Sequence, residues 1–154
     1  MRSFLTRALL GAVAFLAATP ALAADWTFAS MDQDHLTAVF FDRESLEKSP
    51  GNVVRIWGFF VFSEDEEGVA AISAHQEYDC PARRFRRLYL VGYRADSTVA
   101  AEGRLVTEWK PVRPNTLDQA SLDFVCSGRL QEEGLTTLGN TLPLDYGREL
   151  LRGE

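Results

Sequence analysis

The run Val53–Phe62, VVRIWGFFVF, constrains the fold more than any other stretch of the chain. It is dense in β-branched and aromatic residues and carries one charge, Arg55, which is strand composition. Odd and even positions are both apolar, so both faces of this strand must be covered. Such a strand belongs in the middle of a sheet. Gly58 within it points to a bend or a close backbone approach. The turn signal Ser49-Pro50-Gly51-Asn52 leads into it.

The flanking segments are shorter, and turn residues separate them, which favours antiparallel pairing. Trp26–Ser30 and Leu36–Asp42 read as a hairpin turning at Asp32-Gln33-Asp34. Ser63–Gly68 reads as an acidic loop, with Val69–Asp79 as the return strand. Arg83–Tyr93 follows, with Phe85, Arg87, Tyr89, Val91 and Tyr93 as one period-two set and Arg84, Arg86, Leu88 and Leu90 as the other. Ser97–Val106 reads as a last strand, and the prolines keep Trp109–Pro114 extended. The period then changes. Thr116 offers an N-cap and Gln119 completes a capping box, predicting a helix over Leu117–Cys126 that turns Leu117, Ala120 and Phe124 inward. Gly128 fits its stop. Beyond it, Leu142–Leu151 reads either as a short helix or as part of a partly disordered tail.

At the N-terminus, Arg2 and Arg7 precede the apolar run Ala8–Ala18, and Ala21-Leu22-Ala23 forms an A-x-A site. This pattern predicts an exported protein with a signal peptide at 1–23, cleaved between Ala23 and Ala24. The run is shorter than the roughly 20 residues a spanning helix needs, and no second hydrophobic span follows. No Cys follows the cleavage site, which argues against a lipid anchor there. Losing Arg2 and Arg7 takes the net charge from −6 to −8. An acidic surface argues against nucleic acid and anionic lipid as partners. In an oxidising compartment two cysteines read as one disulfide, Cys80–Cys126, with two free thiols as the alternative. A loop of that size would contribute ~4 kcal/mol in the chain-entropy model.

The order of motifs is informative. A Trp near the mature start is followed by FFDRESL, by Val54–Trp57, and by Tyr78-Asp79-Cys80 with a basic stretch after it. Trp109-Lys110-Pro111-Val112, Pro114 and a helix ending in Cys126 complete it. Over about Trp26 to Cys126 the chain resembles the surface-adhesin protein E family of Gram-negative bacteria. The resemblance implies an α+β fold: a mainly antiparallel, curved sheet of about six strands with a C-terminal helix tied to it by the disulfide. The matching domain takes 24–128, and the chain departs from the family in a longer C-terminal tail, 129–154, read as partly helical or partly disordered. The resemblance also implies a non-enzymatic protein that attaches to host extracellular-matrix proteins.

Candidate chemistry is sparse. Arg83, Arg84, Arg86 and Arg87 form a basic group in an acidic chain. Guanidinium forks suit carboxylates and sulfates, so the group is the candidate binding site. The plainer reading is that these arginines pair with Asp and Glu on neighbouring strands or cover apolar surface. His35 and His75 lie in different segments, Glu64–Glu67 does not match a calcium loop, and no phosphate-binding glycine loop occurs, so no metal or cofactor is expected. No G-x-S-x-G elbow exists, and no catalytic residue is assigned. One helix cannot cover both apolar faces of the sheet, so exposed aromatic surface is expected to serve a partner or a homodimer. The sequence therefore predicts a secreted or periplasmic protein, or one at the cell surface, that binds a protein partner. The alternatives are a periplasmic envelope factor that binds another bacterial protein, and a small secreted hydrolase.

Overall fold

The computed structural model describes residues 23–154. The predicted signal peptide lies outside the described residues except for Ala23. Six strands form an antiparallel meander: β1 (Trp26–Met31), β2 (Thr37–Asp42), β4 (Val53–Glu66), β5 (Val69–Asp79), β6 (Arg84–Tyr93) and β7 (Val99–Arg104). Two short strands extend it. β3 (Glu47–Ser49) pairs with the start of β4, and β8 (Lys110–Pro111) pairs with the start of β6. The helices are α1 (Leu117–Cys126) and α2 (Leu144–Arg152).

β4 lies within the sheet between β2 and β5 and is covered on both faces, as its double apolar pattern requires. Val54 and Ile56 join Val39, Phe41, Tyr78 and Phe85 in a core closed by Leu122, Phe124 and Val125 of α1. Phe59 and Val61 point the other way, into a core with Trp26, Ala38 and Phe40 closed by Leu144 and Leu151 of α2. Burying such side chains contributes about 1.5–3 kcal/mol each. At Gly58 a Cβ would stand 3.0 and 3.1 Å from the rings of Phe60 and Phe41, so the glycine marks a close approach within the sheet.

The disulfide joins Cys80, just after β5, to Cys126 at the end of α1, with Sγ–Sγ 2.06 Å. The tethered helix is thus α1, and α2 is a further helix beyond it. Thr116 caps α1 by accepting from Gln119 N–H, while Gln119 Oε1 accepts from Asn115 N–H rather than from the cap residue itself. The buried face of α1 is Ser121, Leu122, Phe124 and Val125, with Leu117 packed at its edge, so Leu117 and Phe124 turn inward as predicted while the face is centred away from Ala120. This centring turns Leu122 and Val125 onto Tyr78 and Phe41, so Ala120 stays half-exposed.

Two strand readings are also corrected. The acidic stretch is not a loop. β4 runs through Glu66, and a two-residue turn at Glu67 (φ 51°) and Gly68 (φ 82°) closes the hairpin. In β6, a bulge leaves Leu88 unpaired between Tyr89, opposite His75, and Arg87, opposite Gln76. The bulge breaks both period-two sets. Phe85 and Arg87 face α1, whereas Tyr89, Val91 and Tyr93 join Arg84 and Arg86 on α2's face.

Candidate binding face

The helices leave part of each face open, because α1 packs on β1 and β5 and α2 on β2 and β4. On α2's face the open part is the shelf formed by the lower halves of β4, β5 and β6. Register builds it. Arg55 pairs with Glu77 and Glu77 with Arg86, while Trp57 pairs with His75 and His75 with Tyr89. Cationic, anionic and aromatic side chains therefore stand in rows across three strands.

Glu77 anchors the charged row. Its side chain is 6% exposed, and Arg55 donates to it from Nη2 at 2.6 Å and from Nε at 3.1 Å. Arg86 donates from Nε to the other carboxylate oxygen at 2.6 Å. Burial alone would push the Glu77 carboxyl up, but the hydrogen bonds and charges of Arg55 and Arg86 outweigh it and hold the group below the usual range. One row on, Arg84 pairs with Asp79 at 2.8 Å. Asp79 is held low by the Ala82 N–H and by Arg84.

Trp109 joins this row because β8 places Lys110 opposite Phe85, which brings the preceding residue alongside Arg86. The guanidinium carbons of Arg84 and Arg86 lie 4.9 and 4.6 Å from the Trp109 ring centroid. In the next row, the His75 and Trp57 rings stack at 4.9 Å and 8°, with Tyr89 edge-on to Trp57. Burial and the Arg55 charge lower the His75 pKa, so its ring is neutral at neutral pH. A shallow depression of about 570 Å³ lies here, lined by Arg55, His75, Glu77, Arg86, Tyr89 and Arg104 among others.

The four arginines read from sequence are thus divided. Arg84 and Arg86 stand on the shelf. Arg83 sits in the β5–β6 turn at φ 47° and reaches α1, with Nη1 3.0 Å from Asp123. Arg87 lies on α1's side, its guanidinium 5.9 Å from the Phe85 centroid. Three of them form ion pairs with carboxylates of neighbouring elements. The sequence reading missed Arg55, Trp57, Tyr89, Arg104 and Trp109 as members of the shelf. The alternation Arg55–Glu77–Arg86 could have been found by folding β4, β5 and β6 about their two turns.

Among the described residues, no group of three or more His, Cys, Asp and Glu could hold a metal ion. His35 lies in the β1–β2 turn and His75 in β5. No described helix is long and apolar enough to cross a membrane. No curated protein and no solved structure matches the chain. A family model described as surface-adhesin protein E matches residues 26–127, which span β1 to just past α1 and include both cysteines and the whole shelf, and so the chain belongs to the surface-adhesin protein E family.

Proposed function

We propose that this is an exported, non-enzymatic, adhesin-like protein that holds a protein partner on its arginine–aromatic shelf. In this reading the signal peptide is removed between Ala23 and Ala24, and residues 24–128 carry the binding domain. The observation that carries it is the clasp of Arg84 and Arg86 with Trp109, set beside the Arg55–Glu77–Arg86 triad. Fixed carboxylates hold these guanidiniums in place while leaving part of each fork open. Preorganised arginines next to aromatic rings are a composition that interface centres favour. The fitting counterpart is an acidic, partly apolar patch, and family membership points to an extracellular-matrix protein of a host as its owner. A hydrolase reading draws only on His75 and Glu77 sharing the depression. Glu77 accepts from two arginines rather than from His75, so the two do not form an acid–base couple.

Retention on a panel of immobilised extracellular-matrix proteins tests this. Charge reversal at Arg86 would set a like charge against Glu77, so the better variant is Arg84→Gln with Arg86→Gln, its folding checked by circular dichroism. A roughly 10-fold or greater loss of retention on at least one matrix protein is expected. A folded variant that binds every panel member as the parent does would refute the reading. Protease treatment of whole cells separates the surface protein from a periplasmic envelope factor, since only the former is digested.

A further inference from the structure

The depression beside the clasp holds two separate cationic poles. At the first, Glu77 lies between Arg55 and Arg86, so the three side chains carry one net positive charge. Arg86 uses only Nε on Glu77, and among the described residues its two Nη groups make no hydrogen bond. The second pole is Arg104, which stands opposite Tyr89 at the end of the row Trp57–His75–Tyr89. It is exposed, lines the depression, and forms no ion pair among the described residues. One strand and one row separate Arg104 from Arg86, ~8 Å between Cα atoms from strand geometry. Tyr89, half-buried, fills the angle between the poles, and Leu88 and Val106 add apolar surface beside it. The main chain beneath is occupied, because β5 and β6 are paired on both sides. A ligand here is therefore read by guanidinium forks and a ring face alone.

We propose that this depression binds a short sulfated glycan, with a sugar ring over Tyr89 and its anionic groups on Arg104 and on the Arg55–Arg86 pole. The site goes beyond protein contact and rests on the shelf being the binding face of the molecule. Guanidinium forks take the oxygens of sulfates and carboxylates in pairs. Glu77 holds the first pole in place, so a ligand whose anions are already set on rigid rings loses least freedom on binding. An acidic peptide would have to order its backbone and side chains first, and it finds no free amide below to pair with. Length is limited by charge. Glu47 stands 3.6 Å from Arg55, and Glu102 lies two residues before Arg104 on the same face of β7. A long polyanion would run from the depression past these carboxylates onto an acidic surface, so a few sugar units are favoured.

Calorimetry of the protein from Ala24 onward with a heparin tetrasaccharide tests this. Saturable binding at one site is expected, and the desulfated tetrasaccharide should not bind. Arg104→Gln breaks no ion pair of the fold and should weaken binding roughly 10-fold or more. Arg113→Gln removes the same charge from an exposed position between β8 and α1, and should bind as the parent does. A hexaglutamate peptide should compete at least about 10-fold more weakly than the tetrasaccharide. Three results would each overturn the proposal: no saturable binding up to about 1 mM, equal losses in the two variants, or a glutamate peptide that competes as well as the sugar. Retention on matrix proteins separates this site from the protein-binding reading. Retention that persists while the tetrasaccharide fails to bind removes the glycan site and leaves that reading standing. Tetrasaccharide binding lost in Arg104→Gln, with no matrix protein retained, does the reverse.

Discussion

The carboxylate of Glu77 has lost most of its hydration to burial and receives two guanidiniums, one from each neighbouring strand. Removing either side of such an arrangement leaves the remainder uncompensated. The linkage sign follows from the depressed pKa. A group that ionises more readily in the folded state contributes stability above its unfolded pKa and loses it as pH falls through the folded one. His75 acts in the same direction, since its lowered pKa makes protonation costly in the folded state. The charged groups acting on it are Arg55 on β4, Glu47 on β3 and Glu77 on β5. Stability of the native protein should thus fall in two stages on acidification, first below the ordinary histidine range and then below the ordinary carboxylate range. Glu77→Gln should be less stable than the parent at neutral pH and should show a smaller second stage, because Asp79 is also held low and remains. Urea titrations across the acid range would show it, and an identical acid profile in the variant would refute the assignment.

Helix α2 depends on one small residue for its seat. Gly147 faces Val61 of β4, and a Cβ there would lie 2.7 Å from Val61 Cγ2 and 2.9 Å from Val61 Cβ. Val61 is fully buried and part of a strand, so the helix must move instead. Arg148 resists that movement, because it donates to Phe62 O and pairs with Asp65. Gly147→Ala is therefore expected to destabilise the protein by about 1–3 kcal/mol as an overpacked site. Thermal melts should show no comparable loss for Gly103→Ala, where a Cβ meets nothing. The same helix marks where sequence pattern stops informing. β4 and α1 were legible because an unbroken apolar run and a cap–stop pair are local signals. Leu142–Leu151 left helix and disordered tail undecided, because what holds α2 is the Phe40–Val61 face on β2 and β4, which no local window contains. The β6 bulge escaped for a related reason. Leu88 continues the alternation of its neighbours in sequence, and only pairing with β5 reveals it as the extra residue. On the shelf, the arginine group stood out by density. Glu77 and Trp109 belong to it only through register.

At the scale of the molecule, two helices close opposite faces of one sheet, and the disulfide ties α1 to it. The Cys80–Cys126 bridge closes a loop that contains β6, β7, β8 and α1, so the strands that carry Arg84 and Arg86, and Trp109 beside them, lie inside it. In the chain-entropy model, closing such a loop contributes ~4 kcal/mol. Cys80→Ser with Cys126→Ser should therefore melt at a lower temperature than the oxidised parent, and reductant should lower the parent's melting temperature towards the variant's. A double variant that melts with the oxidised parent would show that packing of α1 on the sheet holds the loop without the bridge.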